Sequence, residues 1–538
     1  MKAEGERGYR AALRWTLVGF GALAILFSGT FPPFANPNEL SRLQTVVAAT
    51  DLGTFAIDRL LPTLGDHEDK AVSGGRTYSN KAPGLALAAI PVYRLLRLAL
   101  PPPSSAATPI LPILRFWTVS LVCLVALARL GRRLLAQDNP ATAPLVVAAV
   151  AFGTPVLFYA RSFFAHAWTA ALLFLAWDLL RVAEARRSVR RVDAVLVAAG
   201  FLAGWAAISE YSVALVALLL CVRAAAHRAW RAAGLFALGA VVPVALLMVY
   251  DTLCFGSPFV LSSAREAYPA YSRLSATGLF GFGPPSARIA AAYLVDPARG
   301  VLVFSPFFFW AAPGFVGWWR SKSNRADCVF ALAASALYFA VMTGYPNWHG
   351  GWSLGSRYLL PIVFFPALAI GHALWTPLSR GLFASAVVWS AAAHLLLTSS
   401  WPYFPDDVPW PMATGSAWFL SRGWIAPSLL QHLPGGSLVA LTLAVLAVAA
   451  PLALSLRCAL PMSPRPALAA LLGVAPLAVL LMRPPALAYG GRLWRASIYG
   501  AYSGRDPDRR ELRGVALSAS TPEERRMAMG AWRAYGSP

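Results

Sequence analysis

About thirteen apolar segments, each close to the length of a bilayer's hydrocarbon core, recur along this chain and leave it few folds other than a bundle of membrane-crossing helices. They lie near 15–31, 109–128, 142–158, 167–180, 194–209, 211–222, 233–250, 301–318, 328–344, 358–375, 382–398, 437–456 and 467–482. Charge is correspondingly scarce: 13% of the 538 residues are charged, against roughly 25% in an ordinary soluble domain. The expected fold class is all-α, a polytopic membrane protein of about 12–13 transmembrane helices.

The formal net charge of +22 would suggest nucleic acid in a soluble chain. Here the arginines fall between apolar segments, at Arg129–Arg133, Arg181–Arg191, Arg223–Arg231 and Arg320–Arg325, where the positive-inside rule accounts for them. No nucleic-acid partner is expected, and these loops and the N-terminus are expected in the cytoplasm. The basic stretch Met1–Arg14 runs into an apolar segment with no small-residue cleavage site, which reads as a retained first span. Residues 84–100 would invert this topology if they crossed, but Pro91, Arg94 and Arg97 interrupt them, and an interfacial helix is expected instead.

Two regions follow: a membrane domain over 1–482, with 32–108 as a long first outer loop carrying interfacial helices, and a hydrophilic tail over 483–538, expected outside the cytoplasm. Within the tail, Thr521-Pro-Glu-Glu524 has the capping-box pattern of a helix start. The five cysteines are scattered, with no CxxC pair and no metal-site spacing.

The polar residues of interest lie in the outer segments. The first outer loop carries Asn38-Glu39, Asp51, Asp58, the acidic cluster Asp66-His-Glu-Asp69 and Tyr78-Ser-Asn-Lys81-Ala-Pro83. A carboxylate held at the membrane surface is placed to act as a general base, and an ammonium at headgroup level is a natural partner of phosphate. By ligand type, Asp66, Glu68 and Asp69 would suit a divalent cation such as Mg or Mn, whereas the pair Asp406-Asp407 reads as solvated. Further on come Tyr159-Ala-Arg161-Ser-Phe-Phe-Ala-His166 and Trp348-His349-Gly-Gly-Trp352-Ser-Leu-Gly-Ser-Arg357-Tyr-Leu-Leu-Pro361. Glycines allow a tight loop, and arginine offers a planar fork to phosphate.

The order of these features resembles the GT-C superfamily of membrane glycosyltransferases, of the protein mannosyltransferase and aminoarabinose transferase type. Asn38-Glu39 stands where such proteins have an Asp-Glu pair, Tyr78 to Pro83 resembles their Tyr…Lys-Pro-Pro motif, and Trp348 to Pro361 resembles a Trp-x-Gly-Gly-x-Ser-x-Gly-x-Arg-Tyr-x-x-Pro signature. Tyr250, Asp251 and Phe255-Gly-Ser-Pro258 also recur in this kind of protein. The resemblance implies a GT-C-like helical bundle that transfers a sugar from a polyprenyl-phosphate donor to an envelope lipid, glycan or protein acceptor. The setting it implies is a bacterial cytoplasmic membrane, with the site facing the periplasm or exterior. Asn38 replaces the usual first acid, so the catalytic carboxylate is expected at Glu39, Asp58 or Asp69. Lys81, Arg357, Arg161, His166, Tyr78, Trp348 and His349 are expected to hold donor phosphate or sugar. The alternative is a transporter or flippase of a lipid-linked precursor, which predicts ionisable groups near mid-membrane on discontinuous helices.

Overall fold

The computed structural model describes residues 2–28, 36–105, 108–185, 189–321, 324–406, 408–460, 465–487, 491, 492, 494, 495, 498 and 521. Most of the 483–538 tail, the capping box at 521–524 and Asp407 therefore lie largely or wholly outside the described residues.

The chain is a multi-pass, almost wholly helical membrane protein. Among the described residues, seven helices are long and apolar enough to cross a bilayer: Ile110–Leu135, Val192–Ser209, Trp230–Phe255, Arg325–Met342, Pro377–Thr398, Gly436–Ala459 and Arg465–Met482. Several other apolar segments are helical but divided. Residues 142–158 form Ala143–Phe152 and Val156–Tyr159, while 301–318 are split into Val301–Phe304, a 3-10 turn at Pro306–Trp310 and Ala311–Arg320. Pro155 and Pro306 sit at these divisions, where a missing backbone N–H costs no helical hydrogen bond.

Helical hydrogen bonding runs continuously over Ala214–Phe255, but the chain reverses within it. Cys221 Sγ lies 3.9 Å from the carbonyl of Ala233, whereas twelve residues of straight helix would separate the two by about 18 Å. The segment is a hairpin of two antiparallel helices, as the apolar runs 211–222 and 233–250 require. Its second arm packs tightly on the preceding helix. A Cβ on Gly200 would sit 1.8 Å from the carbonyl oxygen of Phe236, so only glycine permits this backbone approach. The outward faces of Trp230–Phe255 and Arg465–Met482 stay apolar and exposed, at Leu238, Val242, Leu253, Leu471 and Val479, as a lipid-facing surface requires.

One end of the bundle is tied by arginine–carboxylate pairs. Asp178 receives Arg129 at 2.6 Å and Arg133 at 2.5 Å, and Asp327 receives Arg181 at 2.9 Å and Arg223 at 3.2 Å. These are the arginines that the sequence places in the cytoplasm.

The first outer loop is ordered around helix Pro37–Asp51. Asn36 caps it by accepting the Asn38 N–H at 3.0 Å, with Pro37 at the first helical position. A two-residue turn, Gly74-Gly75, with both φ angles positive, joins strands Lys70–Ser73 and Arg76–Ser79 into a hairpin. Helix Gly84–Leu96 follows, and at about 20 Å it is too short to span the roughly 30 Å core. It packs against Pro37–Asp51, with Tyr93 Oη donating to Asp51 at 2.5 Å and Arg97 at 2.9 Å from the same carboxylate.

Candidate active site

Three bonds from helix Pro37–Asp51 fix the acidic loop beside it. Ser41 Oγ donates to the Asp69 carbonyl at 2.8 Å and meets Ser79 Oγ at 2.6 Å, and Gln44 Nε2 donates to the Gly65 carbonyl at 2.8 Å. The free edge of the hairpin takes up a later outer loop: Ala71 bridges to Glu266, and the Ala267 N–H donates to the Lys70 carbonyl at 2.9 Å. Glu266 is thereby carried to the acidic loop from far along the chain. Asn80 Nδ2 donates to its Oε2 at 2.7 Å.

Between these elements and the 345–358 loop lies a cavity of about 750 Å³. Its polar lining includes Lys81, Arg357, Asp66, Glu68, Asp69, Glu266, His67 and Asn38, and its aromatic lining Tyr268, Tyr271, Tyr345, Trp352, Tyr358 and Tyr403. Lys81 Nζ is 2.9 Å from Asp69 Oδ1. Burial acts to raise the Asp69 carboxyl, but the charge and hydrogen bond of Lys81 outweigh it and hold the group below its ordinary value, so it is ionised. Burial lifts Glu266 to about 7, against the pull of Lys81 and the Asn80 hydrogen bond. His67, pushed down to about 4 by burial, is neutral and meets Gln44 Oε1 at 2.8 Å through Nε2.

Arg357 lines the cavity without an ion-pair partner among the described residues. Its guanidinium lies 5.5 Å from the Phe164 ring and donates to Tyr358 Oη at 3.3 Å. Among the described residues no carboxylate comes within 4.0 Å of it. The loop that presents it depends on glycine. Gly350, Gly351 and Gly355 have φ of +72°, +64° and +59°, and a Cβ on Gly350 would lie 2.6 Å from Arg357 Nε. Buried Arg299 anchors this loop, donating to the His349 carbonyl at 2.6 Å and the Phe404 carbonyl at 2.8 Å.

The cavity brings together Asp69, Lys81 and Arg357 from the expected set. Glu39, Asp58, Arg161, His166, Tyr78, Trp348 and His349 do not line it. Glu39 is 1% exposed and bound on both oxygens: Arg115 Nε and Nη2 donate at 2.9 and 2.7 Å, and the Phe163 N–H at 2.5 Å. A carboxylate held this way ties the first outer helix to Arg115, and it lines a smaller cavity beside the large one. Asp58 accepts the Thr77 N–H at 3.0 Å on the outside of the hairpin. Tyr78 is buried with Tyr250, Cys254 and Phe255, its ring 5.7 Å from Phe255, which also gives the Tyr250 to Pro258 segment a packing role. Trp348 packs on Tyr293 at 5.5 Å, and His349 Nδ1 accepts the Gly351 N–H at 3.1 Å and lies 3.7 Å from Asp406. His166 Nδ1 is 3.2 Å from Glu210, behind Tyr358.

Asp66, Glu68 and Asp69 all line the large cavity. Asp66 pairs with Lys70 and Asp69 with Lys81, and among the described residues no three His, Cys, Asp or Glu side chains are grouped to hold a metal ion. Sequence reading missed Glu266, Arg115 and Arg299. Glu266 is one of three acids in outer segment 250–300, with Asp251 and Asp296, so an inventory of outer acids was the available signal. Nothing local marks Arg115, because its partner is supplied by tertiary packing.

No family model matches the chain, and no curated protein matches its sequence. Solved structures do. Aminoarabinose transferase ArnT from Cupriavidus metallidurans in the apo state is 16% identical, with 88% of this chain and 78% of that one covered and a TM-score of 0.49. The same protein bound to undecaprenyl phosphate is 15% identical over the same shares, with a TM-score of 0.44. The archaeal oligosaccharyltransferase AglB from Archaeoglobus fulgidus, in complex with an inhibitory peptide and a dolichol-phosphate, is 13% identical, with 98% of this chain and 60% of that one covered and a TM-score of 0.42. Both proteins are members of the GT-C superfamily.

Proposed function

We propose that this protein is a membrane glycosyltransferase that moves a sugar from a polyprenyl-phosphate donor to a hydroxyl-bearing acceptor of the cell envelope. The observation that carries the reading is the convergence of Lys81 and Arg357 with the carboxylates Asp69 and Glu266 on one cavity, away from the arginines paired with Asp178 and Asp327. Cationic groups at a protein–lipid boundary suit a lipid-borne phosphate, and six tyrosine and tryptophan rings beside them suit a sugar.

In this reading Lys81 and Arg357 bind the donor phosphate, and Asp69 holds the Lys81 ammonium in place. Glu266, near neutrality, takes the proton of the acceptor hydroxyl as its oxygen bonds to the anomeric carbon. The bond from that carbon to the phosphate oxygen breaks, and the electron pair leaves with the polyprenyl phosphate. Lys81 and Arg357 are preorganised for the charge that grows on this leaving group, where such groups contribute most to rate. Asn38, in the position of the family's usual first acid, is engaged by Arg42, and Glu39 keeps the helix on Arg115. The acidic role therefore passes to Glu266. The active site is assigned to the outer face of a bacterial cytoplasmic membrane, since the opposite end carries the arginine-rich loops.

The test is transfer of labelled sugar from a panel of polyprenyl-phosphate sugars to envelope acceptors in membranes containing wild type, Lys81→Ala or Glu266→Gln. Transfer by wild type and its loss in both variants, at equal expression, is the expected result. Undiminished transfer in Lys81→Ala would remove the phosphate role, and undiminished transfer in Glu266→Gln the base role.

A further inference from the structure

A second, smaller cavity of about 40 Å³ lies beside the first, with Asn36 and Tyr403 bordering both. A single water needs about 10–15 Å³ measured this way, so the space suits a small polyatomic group. Arg161 lines it, in the turn between helices Val156–Tyr159 and Ala165–Ala185. This guanidinium is 7% exposed, yet among the described residues it makes neither a hydrogen bond nor an ion pair. Its one polar-type contact is with the face of the Phe27 ring at 5.5 Å. Arg115 and Glu39 line the same cavity but are paired with each other at 2.7 Å.

A second group in the same cavity is also unsatisfied: the Ser400 hydroxyl is fully buried and has no partner among the described residues. An unpaired buried cation and an idle buried hydroxyl are each costly, and together they describe half of an anion site. Phe27, Phe158, Pro402 and Pro427 give the cavity its apolar walls, and the Glu39–Arg115 pair, in which each charge is matched by the other, lines it as well.

We propose that the Arg161 cavity is a second phosphate-binding site, distinct from the Lys81 and Arg357 cavity, with Arg161 as its cation and Ser400 as its hydroxyl donor. The site takes one phosphate group, either inorganic phosphate or the headgroup of a phospholipid or polyprenyl phosphate. It does not depend on the transferase reading, because it is tested by binding rather than by transfer.

The experiment follows thermal unfolding of the full-length protein in detergent, by tryptophan fluorescence, against inorganic phosphate and, separately, against undecaprenyl phosphate. Lys81→Met/Arg357→Met is the background that removes the first site, and Arg161→Met is added to it. In that background phosphate is expected to raise Tm, and adding Arg161→Met is expected to abolish the rise. Ser400→Ala should weaken it, and Arg161→Lys should retain part of it. A rise with inorganic phosphate identifies the free ion as a sufficient ligand, and a rise only with the lipid identifies a headgroup. Without any phosphate, Arg161→Met should melt no lower than its parent, since it removes an uncompensated charge. The proposal is overturned if the double variant shows no rise with either ligand, if the rise survives Arg161→Met, or if Arg161→Met alone lowers Tm in the absence of phosphate.

Discussion

The two ends of this bundle bury charge differently, although the outer end also holds matched pairs in Arg115 with Glu39 and Lys81 with Asp69. At the arginine-rich end, each of Arg129, Arg133, Arg181 and Arg223 has a carboxylate within 3.2 Å, and Asp178 and Asp327 each bind two guanidiniums. At the other end Arg357 and Arg161 have no carboxylate in reach among the described residues, while Glu266 sits near neutrality with an amide as its polar contact. Matched charges need nothing further and tie helices together. Unmatched ones keep a desolvation cost that an outside group of opposite charge can offset. The first end is built for assembly and the second for ligands, and the contrast can be broken from either side.

The largest effect is expected at the matched end. Asp327→Asn keeps the shape of the side chain but leaves Arg181 and Arg223 with one carboxylate, Glu184, between them. Breaking a buried pair in this way costs about 3–5 kcal/mol, and unfolding of the purified protein in detergent should report it. A loss near zero would mean that the network is dispensable and that the two ends do not differ as argued.

Arg357→Met should do the reverse. Turnover with a polyprenyl-phosphate sugar is expected to fall about 10²–10³-fold, the usual consequence of removing one stabilising donor from a transition state. Stability should hold or rise, because the side chain removed has no counter-charge. If Arg357→Met unfolds the protein while sparing turnover, Arg357 belongs with the structural arginines.

Glu266 sharpens the comparison through pH. Its carboxyl, lifted from 4.5 to about 7 by burial, is the base only when ionised. Turnover should therefore climb as pH rises towards about 7 and then level off. Stability should move oppositely. A raised folded pKa favours the protonated form in the native state, so its contribution is full below about 4.5 and is lost as pH rises through about 7. Glu266→Gln should lower turnover about a hundredfold and flatten both profiles; an unchanged pH–rate profile in the variant would place the base elsewhere.

These contrasts were only partly legible in the sequence. The crossing segments and the inner arginines could be read because bilayer thickness and loop charge leave a one-dimensional trace. Residues 84–100 could be read as non-crossing because Pro91, Arg94 and Arg97 lie within the run itself. Lys81 and Arg357 stood out because each sits in a compact polar motif. The pairing of Glu39 with Arg115 left no such trace, since the two are separated by 76 positions and meet only when the first outer helix docks on a later span. Glu266 was hidden for the same reason. It reaches Asp69 by adding its loop to the edge of a four-residue strand, and nothing near residue 266 encodes that edge.

The smallest effect is expected at Tyr78, and it is informative because it is small. The motif Tyr78 to Pro83 suggests that tyrosine and lysine work together on the donor, yet the structure turns them to different sides of the hairpin end. Lys81 faces the large cavity, while the Tyr78 ring is buried against Phe255 and Tyr250. Tyr78→Phe keeps that ring and removes only the hydroxyl. Stability should change by less than about 1 kcal/mol, the typical worth of one hydrogen bond, and turnover should match wild type. Tyr78→Ala would empty part of this small core and cost about 3–5 kcal/mol, again with the chemistry of the surviving folded fraction intact. A large loss of turnover in Tyr78→Phe with normal melting would mean that the hydroxyl reaches the donor, and the boundary drawn here between packing and binding residues would have to move to include the hairpin.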